Sequence, residues 1–484
     1  MPKIKSSGNK FVESLPGGNS VWEFNQSQKQ ILCKLCIITM DYSSSNIKYR
    51  AEQHINSGKH KAHLTISSAP KQSLLSFASS SNNSENLYFN DLSLAMLRSN
   101  IPLHKVENEN FRSFLEKYTL KKTPSESTLR KNYLPKEYNR IVDSIKQKVE
   151  GKNIYLMVDE ATDPQGRFIV AILIGVLDEN PIQPYLFDLV QVTETNNVSI
   201  SQIINNTMTS ICNGQIKYDK LKLVVTDGAS YMLKACRNLK MMYEDLIHVT
   251  CVAHGFQRIA ELVRTQHPKI DLFISLMKKT LIKCSRRKKE FVDSTNLPLP
   301  PQPVITRWAT WIDACFYYCQ HFDIVKSFIY NLDHTESASI SKLHELLQDE
   351  DIPQQLAFID VNFKILSTTI TKLQGQLSLV ESIGLVDNVI ADLKIEPYKS
   401  KLAQVLKNNP DYEKMKAFSQ ILSGNLVEGH FNPNVVSGMQ YAPIVSADVE
   451  RCFSKMGQLL SPQRQRLTCD SVKMHMIVAW NNDL

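Results

Sequence analysis

Asp159, Asp227 and Glu450 are the residues of this chain best suited by type and position to do chemistry. Asp159 closes the apolar run Asn153-Ile-Tyr-Leu-Met-Val-Asp159, and Asp227 closes a second, Leu221-Lys-Leu-Val-Val-Thr-Asp227. Glu450 falls one turn into a capped helical segment, Ser446-Ala-Asp-Val-Glu450-Arg-Cys-Phe-Ser. Carboxylates at the ends of adjacent strands, joined by one from a helix, can hold two Mg2+ or Mn2+ ions roughly 3.5–4 Å apart. Such a pair clamps the attacking and leaving oxygens of a phosphoryl transfer. Strand alternation turns Asp159 and Glu160 to opposite faces, so Asp159 is the expected ligand, with Glu160 and Asp163 in turn or supporting roles. Gly228-Ala-Ser after Asp227 permits close backbone approach to a phosphate or metal. Any one of these acids could be an ordinary helix cap; the ordered set is what points to a nucleic-acid strand-transfer centre.

A second constellation lies near the N-terminus, where Cys33-x2-Cys36-x17-His54-x5-His60 has the ligand types and order of a Cys2His2 zinc site. His60 and His63 compete for the last position, and His60 is preferred. Trp22, Phe24, Leu32 and Tyr49 are the expected small core, which needs the Zn2+ to fold. Residues 1–64 carry nine Lys/Arg against four Asp/Glu, and the whole chain is +8, so a polyanion, double-stranded DNA, is the expected partner.

The elements that must position these groups follow from composition and periodicity. The chain has 484 residues, 43% apolar and 21% charged, enough to bury a sizeable core. Ten scattered cysteines form no disulfide framework and suit a reducing compartment. The longest apolar run, Phe168 to Leu177, is too short to span a bilayer, so no membrane is expected. The spacing predicts a finger over 1–65, a serine-rich linker over 66–90 and short helices over 91–150. Strands Ile154–Val158, Phe168–Val176 and Tyr185–Val192 read as a meander. A helix, strand Leu221–Thr226, a helix near Tyr231–Tyr243 and strand Leu246–Cys251 follow. This β-β-β-α-β-α-β order, over 151–310, is that of an RNase H-like α/β core. A mainly helical insertion over 311–440 and a closing block over 441–484 complete the expected architecture. Lys278-Lys279, Lys283 and Arg286-Arg-Lys-Lys289 add a cationic helix end.

Five blocks, in order, resemble those of hAT-superfamily transposases: Val158-Asp-Glu-Ala-Thr-Asp163, Val224-Val-Thr-Asp-Gly-Ala229, Cys251-Val-Ala-His254, Arg307-Trp308 and Ser446-Ala-Asp-Val-Glu-Arg-Cys-Phe-Ser454. The resemblance implies an Asp159, Asp227, Glu450 metal triad with Cys251 and His254 in support. It implies that Trp308 stacks on a base flipped out of flanking DNA, beside Arg307. The block from Tyr441 resembles a dimerisation region, with Phe453, Leu459, Leu460, Leu467, Val472 and Ile477 supplying interface and core. A homodimer or higher homo-oligomer is implied. Gln53-His-Ile-Asn-Ser-Gly-Lys-His60 resembles BED-type fingers, whose helix enters a DNA groove. That resemblance places Asn46, Lys48, Arg50 and Gln53 nearest the DNA, lysine and arginine on phosphates and the amides on bases. The finger with Ser99-Asn-Ile-Pro-Leu through Tyr133-Leu-Pro135 also looks like CGG triplet repeat-binding protein, a domesticated hAT relative. Between Trp308 and Glu450 lie about 140 residues, fewer than in large active relatives. Two expectations therefore stand side by side: a DDE-type transposase, or a non-catalytic DNA-binding dimer that regulates transcription in the nucleus.

Overall fold

The structure is a computed structural model and describes residues 8–25, 29–36, 38–61, 78–214, 216–243, 245–282, 284–303, 309–462, 464 and 466–484, with the side chains of 78–85 excepted. Residues 66–77 of the serine-rich stretch expected as a linker, and 62–65 before them with His63, lie outside the described residues, while 78–90 of that stretch belong to a helix. The chain divides into two compact units, Met1–Asn86 and Leu87–Leu484.

In the first unit, helices α1 (Gly8–Glu13) and α2 (Gly18–Val21) lead into a meander of β1 (Trp22–Asn25), β2 (Gln30–Cys33) and β3 (Ile38–Asp41). Helix α3 (Ile47–Asn56) follows. Gly17, at φ 85°, makes the corner between α1 and α2 in a conformation that disfavours a side chain. Trp22 is fully buried with Val12, Leu15, Ile31, Met40 and Ala51, and Phe24 packs at the margin. Two expected core residues are corrected. Alternation along β2 sends Ile31 and Cys33 inward and Leu32 to the other face. Tyr49 is 61% exposed on α3. Their places are taken by Val12 of α1 and Leu15 of the turn after it, a segment that the metal-ligand spacing did not reveal.

In the second unit, a five-stranded sheet runs in the order β6-β5-β4-β7-β8. It comprises β4 (Ile154–Thr162), β5 (Phe168–Val176), β6 (Tyr185–Val192), β7 (Leu221–Thr226) and β8 (Ile247–Thr250). The first three pair antiparallel; β4–β7 and β7–β8 pair parallel. The parallel pairs need crossovers, supplied by α7 (Asn197–Ile211) and α8 (Ser230–Leu239); α4 (Ala78–Arg98), α5 (Glu109–Thr119) and α6 (Leu134–Val149) precede the sheet. Asn196 and Ser199 form a capping box at the start of α7, which fixes where that crossover begins. Leu92, Met96, Leu97, Ile141 and Ile145 from the preceding helices bury into the same core as the sheet.

One strand boundary differs from expectation, and it matters for the site. Sequence alone ends β4 at Val158, but pairing with β5 continues to Thr162, opposite Phe168. Pairing with β7 stops at Val158, opposite Thr226. Asp159 therefore sits inside a strand, at the level where its parallel neighbour ends. A crevice beyond the carboxyl ends of parallel strands is where open α/β sheets place ligands.

Both sheet edges are closed by side chains. Asn481 accepts from Leu186 N–H at 3.1 Å and donates to Leu186 C=O at 2.9 Å on the β6 side. On the β8 side, Asn409 accepts from Thr250 N–H and donates to Thr250 C=O, both at 2.8 Å, and Asp411 accepts from His248 N–H at 2.6 Å. These groups stand in for a further strand and leave no open template for another chain. After β8 the described residues contain no strand. Helices α9 (Val252–Gln266), α10 (Pro268–Ile282), α11 (Ser285–Thr295), α12 (Thr310–Gln320), α13 (Asp351–Leu373), α14 (Tyr398–Lys407), α15 (Ala447–Leu459) and α16 (Cys469–Trp480) supply most of the rest. Leu459, Leu460, Val472 and Ile477, expected partly as interface, are buried within this chain's own core; Phe453 and Leu467 are partly buried against it. No helix among the described residues is long and apolar enough to cross a membrane.

Candidate metal centres

In the N-terminal unit, β2 ends on buried Cys33, the turn carries Cys36, and α3 and the residues beyond it carry His54 and His60. One donor atom from each of the four lies within 4.8 Å of the others. His60 Nδ1 is 3.5 Å from both sulfurs and 3.2 Å from His54 Nε2. Four ligands at zinc-bond lengths of about 2.0–2.3 Å stand about 3.3–3.8 Å apart at the corners of a tetrahedron. The donor set therefore fits a structural zinc ion, as expected from spacing. Burial, then the charge of Cys33, pushes the Cys36 thiol up; burial, then His60, pushes His54 down. Burial leads both shifts and the facing of the donors adds to them; a cation held between the four relieves the second part. Trp22 braces the site, stacked at 5.9 Å on His60 and edge-on at 5.7 Å to His54.

Lys48, Arg50 and Gln53 are all exposed on α3. At 100° per residue, Asn46, Tyr49, Arg50 and Gln53 share one face, while Lys48 lies nearly opposite. Gln53 Nε2 donates to the Tyr49 hydroxyl at 2.9 Å, so Tyr49 belongs to the outward stripe rather than the core. Exposed aromatics beside exposed amides were the signal that sequence reasoning passed over.

In the larger unit, Asp159, His254 and Glu450 converge, with one donor atom of each within 4.8 Å of the others. They come from β4, the first turn of α9 and the first turn of α15. Val252 N–H donates to Ile444 C=O at 3.0 Å, and Ser446 N–H donates to the Cys251 sulfur at 3.2 Å. Those two bonds fasten the start of α15 beside the start of α9. His254 Nε2 then stands 3.3 Å from Glu450 Oε1.

Asp227 is outside that trio. It directly follows β7 and accepts from Ala229 N–H at 3.2 Å, yet its charge still reaches Asp159. Asp227, expected with Asp159 and Glu450, is not within the mutual 4.8 Å group, whereas His254, expected in support, is. Asp163 is a turn residue, accepting from Gln165 and Arg167 N–H and paired with the Arg167 side chain at 2.6 Å. Glu160 accepts from the Tyr231 hydroxyl at 3.1 Å. Arg307 and Trp308 lie outside the described residues; the next residue, Ala309, donates its N–H to Gln257 of α9 at 2.7 Å.

The three groups interact strongly, with the His254 imidazole set between two carboxylates. Burial, reinforced by Asp227 and Glu450, pushes the Asp159 carboxyl well above its usual range, against His254 and the Glu160 N–H. Burial also raises Asp227, against the Ala229 N–H, His254 and Arg258. Burial opposes a charge on His254, but hydrogen bonds to Cys251 and Glu450 and the charges of Cys251 and Asp159 raise it to about 11. Asp159 Oδ1 accepts from Glu160 N–H at 2.8 Å, while Oδ2 is buried without a hydrogen-bond partner. Asp159, His254 and Glu450 together offer a donor set that a metal ion can use once the His254 imidazole has given up its proton.

A family model described as "Domain of unknown function (DUF659)" matches residues 124–284. The chain thus carries a domain found in hAT-family transposase-like proteins, and the match includes Asp159, Asp227, Cys251 and His254. A comparison with curated proteins found no match.

Proposed function

We propose that this protein is a hAT transposase-type phosphoryl-transfer enzyme acting on double-stranded DNA through an RNase H-like core. The observation that carries the reading is the convergence of Asp159, His254 and Glu450, with a buried unpartnered Asp159 oxygen, across almost the whole length of the larger unit. The DUF659 match over the core is consistent with it. A divalent ion held there supplies activated water and charge neutralisation at the scissile phosphate. The chain's own residues do the rest. Asp159 and Glu450 hold the negative charge that fixes the ion's place, with Asp227 adding charge from the neighbouring strand end. Cys251 sits beside His254 and favours its charged form, and the His254 Nε2 stands 3.3 Å from Glu450. The Ser446 and Val252 N–H groups hold the two helix starts in register, so the centre assembles only in the folded chain.

The zinc-finger unit supplies DNA recognition through Asn46, Tyr49, Arg50 and Gln53, in the manner of a BED or CGG-repeat-binding finger. Trp308 and Arg307 serve the flanking base and phosphate. The protein acts in the nucleus as a homodimer. The decisive experiment is cleavage of a labelled terminal-repeat duplex with Mn2+ or Mg2+, comparing wild type with Asp159→Asn. Metal-dependent nicking lost in the variant, with DNA affinity kept, supports the enzyme; no nicking by wild type on any tested end overturns it. A second reading, a DNA-binding regulator without catalysis, is favoured by one observation: the finger's four ligands assemble in a unit of their own. DNA binding lost on Cys36→Ser, with no wild-type nicking, would select it.

A further inference from the structure

A cavity of about 180 Å³ lies on the His254 side of the acidic centre, lined by Gly228, His254, Arg258, Lys401, Gln404 and Asn408 among others. A neighbouring hollow of about 260 Å³ shares Leu233 and Asn408 with it and adds Arg237 and Lys240. Neither has an aspartate or glutamate in its wall. Three helices present one face each: Leu233 and Arg237 on α8 with Lys240 just past its end, His254 and Arg258 on α9, Lys401 and Gln404 on α14 with Asn408 just past its end. Lys240 is already paired with Asp411. Among the described residues, no carboxylate forms an ion pair with Arg237, Arg258 or Lys401. Arg258 feels the Asp227 charge and Lys240 that of Asp411, while Arg237 and Lys401 have no carboxylate ion-pair partner; cations gathered in a concave wall raise a positive potential, and this one begins beside the acidic centre.

Two glycines make the arrangement possible. The Arg258 guanidinium lies over Gly228, in the space a Cβ would fill, which brings it beside the Asp227 loop. At Gly255 a Cβ would stand 2.6 Å from Val405 Cγ1, so α9 and α14 approach closely only because this position is bare. Lys401 is one turn before Val405, and Arg258 one turn after Gly255. The close crossing therefore sets the two cations on facing walls.

We infer that this groove is the backbone track of the nucleic-acid substrate, Arg258 and Lys401 holding a phosphodiester next to the one at the acidic centre and Arg237 one further along. Diester oxygens accept the forked guanidinium bonds, and the amide ends of Gln404 and Asn408 add neutral donors. The inference rests on nucleic acid being the substrate of the neighbouring centre. It goes beyond that reading by assigning the strand's path over α9 and α14.

Its test is the salt dependence of affinity for a fluorescein-labelled 30-base-pair duplex, measured by anisotropy on the full zinc-loaded chain with Ca2+ in place of Mn2+. Each phosphate contact contributes about 0.9 to the slope of log K against log salt. Arg258→Ala/Lys401→Ala should lower the slope by about 1–2 and weaken binding roughly three- to tenfold at low salt. Lys342→Ala, an exposed lysine outside the groove, should change neither. Gly228→Ala, which displaces the guanidinium without removing charge, should reproduce part of the loss. Thermal melting of each variant reports whether it has kept its fold, and Arg258→Lys serves as the rescue form. An unchanged slope in the double variant overturns the track, even where wild type cuts DNA. A lowered slope upholds it, even where wild type cuts nothing and the catalytic reading alone fails. Wild type with no measurable DNA affinity overturns both.

Discussion

Asp159→Asn separates the cost of the acidic centre from its use. In metal-free protein, Asp159 leaves one oxygen buried and unpartnered among Asp227 and Glu450. An unsatisfied buried polar atom costs about 1–3 kcal/mol. Asparagine keeps the acceptor for Glu160 N–H, removes one negative charge, and offers its amide to the facing carboxylate. Without divalent metal the variant should therefore equal or exceed wild type, by up to about 2 kcal/mol. Metal reverses the order. A ligand at a hundredfold excess over its Kd stabilises the native state by about 2.7 kcal/mol. At about 2.1 cal/mol/K per residue, a unit of roughly 400 residues unfolds with an entropy near 0.8 kcal/mol/K, so wild type should gain about 3 °C in Tm. The variant should gain almost nothing. The assay is calorimetry of zinc-loaded protein titrated with Mn2+ and no chelator, following the transition of the larger unit. A metal-free variant melting several degrees below wild type, or one gaining the same 3 °C, would refute the assignment of Asp159 as a ligand.

Three other outcomes follow from particular contacts. Cys36→Ser should reduce bound zinc by about one ion per chain and abolish amide-exchange protection across the finger. The apparent binding energy of a structural zinc, about 10–16 kcal/mol, exceeds what so small a core supplies, and the Tm of the larger unit should not move. Asn409→Ala removes both hydrogen bonds to Thr250 at the β8 edge and should cost about 1–2 kcal/mol by urea titration, with faster exchange at Thr250 N–H. His248 is buried, with its Nε2 2.9 Å from the Thr226 hydroxyl, and burial, then the Lys240 charge, lowers it to about 4 despite Asp411. The unfolded chain takes up this proton near pH 6.5 and the folded chain only near 4. Stability contributed by neutral His248 is thus full above about 6.5 and is lost as pH falls through that value, levelling below 4; the total is of order 3 kcal/mol. His248→Gln should flatten that part of the profile, and a wild-type curve without the decline would show that the ring is solvated.

Much of this was readable from residue order. Zinc ligands are legible because a CxxC knuckle and a short helix fix four donors within a few tens of residues. Strands β5, β6 and β7 are legible because their apolar runs are bounded by turn residues. The acids at Asp159 and Glu450 could be nominated from their local settings, a strand and a capped helix start. Local patterns do not say where chains pass in space, and the remaining features depend on that. β4 outruns β7 because β5 continues to pair with it, and this leaves Asp159 at the mouth of the crevice. His254 meets Glu450 because Ser446 and Val252 clip α15 to α9, a contact between residues about two hundred apart. The basic groove exists because Gly255 lets α14 approach α9, and neither helix alone has a pattern that calls for the other. Sequence by itself determined which side chains have the chemistry and which local element carries each. Only the tertiary structure decided which of them meet, because a meeting depends on long-range register, packing distance and the space a missing Cβ leaves.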